Sequence, residues 1–201
     1  SSGNLQTKSH SVTPLQLTTN AGDSMFLRSN FDKEVLVEPF QIFPGVVIQP
    51  GEYDFENHGI EFRGANFRKL SGRIAYVEGT FWSGRQNRVF GNVTWSASAR
   101  IRGNVGFNVT NTKLPEGDFI TRLFTASLDY VFSNKLSLVN LVQYDNVSET
   151  LGINIRLNWI PVPGQEIFFV VNHNMEDFDR DNRFHSAAST VTAKFSYTFW
   201  Y

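Results

Sequence analysis

Hydrophobic and polar residues alternate along most of this chain with a period of two, which is the spacing of side chains on the two faces of a β-strand. In residues 88–100, for example, Val89, Val93 and Trp95 are separated by polar residues. The same pattern occurs in residues 150–160 and at the C-terminus. Helical periodicity is hard to find, so the pattern predicts an all-β protein.

The alternating runs predict about eleven strands bounded by turn residues. Their predicted ranges are 5–18, 24–38, 53–63, 70–82, 88–100, 103–112, 119–132, 136–146, 150–160, 166–175 and 187–201. Most exceed the 5 to 6 residues that are typical of globular proteins, and a strand needs about 9 to 11 residues to cross a membrane. We predict one domain, residues 1–201, folded as an antiparallel up-and-down transmembrane β-barrel of about 10 to 11 strands, complete or part of a larger barrel.

Alternation alone also fits a secreted soluble β-sandwich, which would bury the apolar faces that a membrane barrel turns to lipid. Three features favour the membrane: aromatic residues at the strand ends, charged residues in the middle of polar faces, and an aromatic C-terminal strand. That strand resembles the signal that the bacterial outer-membrane insertion machinery recognises. The predicted signal residues are Phe195, Tyr197, Phe199 and Tyr201.

If the C-terminus lies in the periplasm, the alternation of strands assigns every link to one side of the membrane. The predicted periplasmic links are 20–23, 64–69, 101–103, 133–135 and 161–165. The predicted extracellular links are 43–52, 83–87, 113–118, 145–149 and 176–186. The two longest links both fall outside, as expected for bacterial barrels.

Composition excludes several classes of protein. The chain has no cysteine, which removes disulfide scaffolds and thiolate metal sites. Its formal net charge is -1 and it has no run of Lys or Arg, so it lacks the electrostatic pattern of a nucleic-acid binder. The longest run of aliphatic and aromatic residues, Ile167–Val171, is far too short for a membrane helix.

Five segments carry a resemblance to a known family. They read EPFQIFPGVVIQPGEY at 38–53, GDFITR at 117–122, NLVQYDNVSETLGIN at 140–154, WIPVPGQEIF at 159–168 and KFSYTF at 194–199. The chain resembles the C-terminal barrel region of bacterial outer-membrane proteins that join an N-terminal family-nine-like carbohydrate-binding domain to a large barrel domain of unknown function.

This resemblance implies a location in the outer membrane of a Gram-negative bacterium and a protein longer than this chain. The chain would be its C-terminal part or a shortened relative. The expected partners are outer-membrane lipid, the barrel-insertion machinery and, through the missing N-terminal domain, a carbohydrate or a protein.

Charged residues on the predicted polar faces are candidates for binding in the lumen. They are Arg88, Arg100, Arg122, Asp129, Arg156 and Lys194. The arginines could form a basic stripe that selects anions. Equally, they could pair inside a filled lumen with acids such as Asp129, Glu78 and Asp32.

An acidic segment near the C-terminus is the candidate metal site. Asp177, Asp179 and Asp181 place carboxylates at alternate positions, as calcium loops do, but the segment lacks the glycine and the distal glutamate of an EF-hand. A solvated loop is the alternative interpretation. No other cofactor is predicted.

Acids and histidines near the predicted extracellular rim suggest an alternative function, an omptin-like hydrolase. The residues concerned are His173, Glu176, Asp177 and His185, with Asp145 and Glu149 on another loop. Such residues are common on any hydrated rim, so we favour a protein that is not an enzyme.

The long link after residue 38 contains Val46–Ile48 between two Pro-Gly pairs, which predicts a short apolar strand in a hairpin. Because apolar residues on an external loop need cover, this loop is expected to fold inward or contact a partner. For the whole chain, the sequence predicts a channel or translocation component, or a membrane anchor for a binding partner.

Overall fold

The computed structural model describes residues 7–177 and 183–198, and within them the chain is all-β, as predicted. The strands are β1 (Thr7–Thr18), β2 (Ser24–Leu36), β3 (Phe40–Phe43), β4 (Val46–Ile48), β5 (Gly51–Gly64), β6 (Leu70–Phe81), β7 (Gly84–Ser96), β8 (Ile101–Lys113), β9 (Phe119–Ser133), β10 (Leu136–Asp145), β11 (Thr150–Trp159), β12 (Gln165–Glu176) and β13 (His185–Tyr197). The described residues contain no helix with the length and hydropathy needed to cross a membrane.

Eleven of these strands form one sheet in the order β1-β2-β5-β6-β7-β8-β9-β10-β11-β12-β13, and β3 pairs with β4 in a separate two-stranded sheet. Each strand of the large sheet is followed in space by the next long strand in the sequence. This confirms the predicted antiparallel, up-and-down arrangement of about eleven long strands.

One predicted strand is displaced along the sequence, and the next begins two residues earlier than predicted. Strand β7 covers 84–96 and β8 covers 101–113, so the predicted links at 83–87 and 101–103 are wrong. Trp82 and Ser83 form the first turn, although Trp82, at φ 47°, is not a usual turn residue. The second turn lies at 97–100, where alternating small apolar residues continue the strand pattern and hide it.

The predicted hairpin in the long link is present. Its second strand is Val46–Ile48, as expected, while β3 was not predicted. Gly45 joins the two strands with φ 81°, a left-handed conformation that glycine adopts without strain.

Contacts between residues divide the chain into two compact units. The first unit contains the chain up to Ala65, Gly72–Gly91 and Asn108–Thr121. The second contains Asn66–Ser71, Asn92–Phe107 and the chain from Arg122 onward. The prediction of one domain over residues 1–201 stays a prediction.

Links between antiparallel neighbours alternate between two ends of the strands. We call turn end the end with the links at 19–23, 65–69, 97–100, 134–135 and 160–164. We call loop end the opposite end, where the longer connections begin at residues 37, 114, 146 and 177. The half of a strand nearest each end takes the same name.

Candidate functional site

In the first unit, the turn halves of β2, β5 and β6 separate polar from apolar side chains. Strand register places Phe26, Arg28, Asn57, Glu61 and Ala75 on one face, which we call the Glu61 face. The opposite face, which we call the Phe62 face, carries Met25, Leu27, Ile60, Phe62 and Ile74. The two faces therefore differ in chemistry as well as in direction.

Exposure in these turn halves is the reverse of that in a water-soluble protein. Phe62 and Ile74 are 48% and 47% exposed, whereas the Glu61 residue is only 6% exposed. A soluble protein covers such an apolar face, because water contact costs free energy roughly in proportion to apolar area. Here the polar face is the covered one.

The polarity of the two faces changes in the loop half of β5. Glu52, Asp54 and Glu56 lie on the Phe62 face, and Tyr53 and Phe55 lie on the Glu61 face. In this half of the first unit, charged side chains are exposed and aromatic side chains are covered, as in an ordinary soluble domain.

An ion pair on the Phe62 face illustrates the hydrated character of the loop half. Lys33 Nζ lies 2.6 Å from Glu52 Oε2, and both side chains are well exposed. The hydrogen bond and the opposite charge together lower the pKa of Glu52 and raise the pKa of Lys33.

The hairpin β3–β4 supplies the main buried cluster of the first unit. Val46, Ile48 and Leu114 are buried together, with Ile48 fully inaccessible. The partly buried side chains packed around them are Leu36, Ile42, Phe43, Tyr53, Phe81, Trp82 and Phe119. The apolar residues Val46 and Ile48 of the loop are thus buried against other residues of the same chain, because the loop folds inward.

Trp82 connects this cluster to the Glu61 face. Its ring lies 5.1 Å from that of Tyr53, 5.4 Å from Phe55 and 6.2 Å from Phe81, all in edge-to-face arrangements. Such aromatic pairs contribute about 0.5 to 1.5 kcal/mol each beyond their burial, which offsets the left-handed backbone at this residue.

The turn half of the Glu61 face contains a cluster of cations around one acid. Glu61 accepts a 2.6 Å hydrogen bond from Arg63 and lies 3.6 Å from Arg28. Both guanidinium groups also lie about 5 Å from the ring of Phe26, at 5.1 Å for Arg28 and 5.2 Å for Arg63. The buried carboxylate is therefore neutralised and held in place from two sides.

Two further arginines belong to this cluster. Arg88 and Arg73 lie 4.5 Å and 5.7 Å from the ring centroid of Phe90. Among the residues that the structure describes, neither has a carboxylate partner. A cavity of about 290 Å³ opens beside Arg88, with Arg28, Asn30 and Asn57 also on its walls.

In the second unit, uncharged amides cluster in the loop half of the polar face. Strand register places Gln143, Gly152, Asn154, Asn172 and Asn174 together on what we call the Asn154 face. Asn154 donates a hydrogen bond to Asn172, and a cavity of about 310 Å³ lies among these residues. These amides offer both donors and acceptors, and charged residues lie elsewhere on the same face.

The opposite face of the second unit is apolar and exposed. Ile155, Trp159 and Phe169 are 38%, 45% and 43% exposed, and Val191 and Phe195 continue the face on β13. We call this the Ile155 face. As in the turn half of the first unit, the apolar side is the uncovered one.

Three predicted binding residues lie on the Asn154 face. Register places Val139 between Asp129 and Arg156, which are its partners on the two neighbouring strands, and places Lys194 opposite Phe168. Arg88 lies on the Glu61 face of the first unit, as described. Binding by any of these four residues stays a prediction.

The other two predicted binding residues are not on polar strand faces. Arg100 lies in the exposed turn at 97–100, where its backbone N–H donates to Ser98 Oγ at 3.1 Å. Arg122 alternates with the polar positions of β9 and shares the face of Phe124 and Leu128, near the loop end. The stripe predicted from Arg88, Arg100, Arg122 and Arg156 is therefore not assembled.

The predicted rim residues are dispersed. His173 lies on the Ile155 face, and its Nδ1 is 2.6 Å from Ser189 Oγ. Glu176, three residues later on the regular strand β12, lies on the opposite face, beside His185 of β13. The structure does not bring His173 and Glu176 together.

The predicted calcium site and insertion signal lie partly outside the described residues. Asp177 is buried at 4% exposure, and Asp179 and Asp181 are not described. The described residues contain no cluster of acids or histidines that could hold a metal ion. Phe195 and Tyr197 are exposed on the Ile155 face, whereas Phe199 and Tyr201 fall beyond the described range.

Sequence reasoning missed the centre of the cationic cluster, Glu61 with Arg63 and Arg73. The signal was available in β5, where Asn57, Gly59, Glu61 and Arg63 occupy alternate positions opposite Ile60 and Phe62. Which strands bring arginines beside this row depends on sheet register, which alternation does not specify.

No protein-family model matches the chain, and a search of curated proteins finds no match. Among solved structures, the NanC porin is 8% identical with a TM-score of 0.38, over 96% of this chain and 94% of that chain. The KdgM porin, also solved in complex with disordered oligogalacturonate, is 10% identical with a TM-score of 0.37, over 96% of this chain and 98% of that chain.

Proposed function

We propose that this chain is a β-barrel of the Gram-negative outer membrane that forms a channel for small hydrophilic solutes. The observation that carries the proposal is the reversed polarity of its sheet: long apolar strand faces are exposed and the polar faces are covered. Lipid is the environment in which an exposed apolar face is stable and a polar face must turn away. The Glu61 and Asn154 faces would line the lumen.

The charges and amides on those two faces support passage of hydrophilic solutes. Arg28, Arg88 and the amides around them would be hydrated and would exchange hydrogen bonds with a solute in transit. The alternative of a soluble sandwich is disfavoured because it would have to cover Phe62, Ile74 and Ile155, which are exposed.

A second candidate function, a membrane anchor with a filled interior, is favoured by the hairpin. The cluster of Val46, Ile48 and Leu114 covers part of the Glu61 face at the loop end, where a wide channel would be open. An anchor would fold in the membrane without conducting.

Refolding the chain in detergent and measuring its gel mobility with and without boiling tests the membrane barrel. We expect a heat-dependent shift, followed by stepwise conductance in planar bilayers. A heat shift without conductance would support the anchor. Folding in water without detergent would overturn the membrane proposal.

A further inference from the structure

We propose that the cavity beside Arg88 in the first unit binds the carboxylate group of small polyhydroxy anions. The physiological part of this inference, capture of a solute in transit, rests on the proposed channel function. The binding itself depends only on residues of the first unit. The cavity, of about 290 Å³, has room for one small solute.

The guanidinium of Arg88 differs from that of Arg28 in the same cavity. Arg28 lies 3.6 Å from the carboxylate of Glu61, which also lines the cavity and which Arg63 contacts at 2.6 Å, so the charge of Arg28 is partly balanced within the protein. Arg88 has no ion-pair partner among the described residues. Of the two arginines on the cavity wall, Arg88 is therefore the one whose charge an entering anion would meet unpaired.

Phe90 holds this cation without consuming its hydrogen-bond donors. The Arg88 Cζ atom lies 4.5 Å from the centroid of the Phe90 ring, within cation–π range. An arginine in cation–π contact keeps N–H groups for a second partner, and the guanidinium fork matches a carboxylate in two parallel hydrogen bonds. A carboxylate is thus a better ligand than a simple halide ion.

Amides in the same cavity extend recognition to hydroxyl groups. Asn30 and Asn57 are opposite each other in the β2–β5 register, and no other described residue makes a hydrogen bond with either side chain. Each amide can donate to and accept from a hydroxyl group. A ligand with one carboxylate and several hydroxyls satisfies both kinds of group.

Gluconate and sorbitol are suitable probes, because both are six-carbon polyols and only gluconate has a carboxylate. Calorimetric titration of the refolded protein in detergent should give a dissociation constant at least about tenfold lower for gluconate, as expected for one charge-assisted contact. Arg88→Gln should remove this preference. The matched control Arg85→Gln, which deletes a cation of the same strand that does not line the cavity, should change gluconate affinity less than about threefold.

Two further variants test whether a loss of binding in Arg88→Gln comes from misfolding. Arg88→Lys keeps the charge but loses the fork and should retain part of the preference. Asn30→Leu should weaken binding of gluconate and sorbitol alike.

Equal affinity of the wild-type protein for gluconate and sorbitol would overturn the inference, as would equal losses in Arg88→Gln and Arg85→Gln. Binding without any bilayer conductance would refute the channel and leave the site intact. Conductance without a preference for gluconate would refute the site and leave the channel intact.

Discussion

The two halves of strand β5 carry opposite polarity on the same two faces. In the loop half, Tyr53 and Phe55 lie on the covered face and Glu52 and Asp54 on the exposed one, while in the turn half Glu61 is covered and Phe62 is exposed. The backbone alternation is unbroken, so only the surroundings can explain the change. In the proposed membrane barrel, water would surround the loop half and hydrocarbon would surround the turn half.

No such change occurs in β10 and β11 of the second unit. Val142, Tyr144, Leu151 and Ile153 keep the Ile155 face apolar up to the loop end. The change of polarity along a strand is therefore a feature of the first unit. The folded hairpin β3–β4, which packs in that loop half, gives this half a core of its own.

The largest effect is expected where the loop half acts as a soluble core. Ile48→Ala should destabilise the hairpin cluster by about 2 to 5 kcal/mol, because it removes a fully buried side chain and leaves a cavity. Val47→Ala, in the same strand but exposed, should change it by less than about 0.5 kcal/mol. Hydrogen exchange of the β4 backbone amides in the refolded protein measures both, and equal effects would contradict a core at this position.

A charge on the Phe62 face should distinguish the two halves of the first unit directly. Ile74→Arg, in the turn half, should cost about 2 to 4 kcal/mol, the penalty for arginine at the lipid-facing midplane of a barrel. Asp54→Arg, on the same face in the loop half, should cost less than about 1 kcal/mol. Urea unfolding in lipid vesicles is the measurement. Tolerance of arginine at Ile74 would mean that water also contacts the turn half.

On the Glu61 face, the acid at the centre of the cationic cluster should matter more than an exposed acid. Glu61→Gln should destabilise the protein by about 1.5 kcal/mol, because the guanidinium groups of Arg28 and Arg63 both lose the carboxylate that they contact. Their own partial exposure to water limits the loss. Glu52→Gln, in an exposed pair, should shift the unfolding midpoint in urea much less. A midpoint shift of equal size in both variants would show that the Glu61 face is as hydrated as the surface.

Much of the fold could be predicted from alternation, because long strands with one apolar face leave a repeated signal. The turn at Trp82 could not be predicted in this way. Packing of Trp82 on Tyr53 and Phe55 stabilises a backbone conformation that the local sequence does not favour. The turn at 97–100 was hidden because Ala97 and Ala99 continue the alternation.

The candidate site was less predictable than the fold. Arg88 could be assigned to a polar face, but its contact with Phe90 and the absence of an ion-pair partner among the described residues depend on which strands are neighbours and in what register. Arg122 was misplaced because a charged residue near a strand end can lie on the lipid-facing side, with its head group in the interface. Residue type alone does not show whether an arginine lies on the polar face, as Arg88 does, or on the apolar face near a strand end, as Arg122 does.

The smallest effect concerns Lys33 and Glu52, and it tests whether the loop half is in water. The pKa of Glu52 is lowered from its ordinary value of 4.5 by the hydrogen bond and charge of Lys33. A lowered pKa means that the pair stabilises the fold above the ordinary value and that this contribution is lost as pH falls through the folded one. In Lys33→Gln, the pKa of Glu52 measured by carboxyl NMR titration should return toward 4.5. Raising the salt concentration should produce part of the same change in the unaltered protein, because ions screen exposed pairs in water. A titration that does not respond to salt would place this pair away from water and would remove the distinction between the two halves of β5.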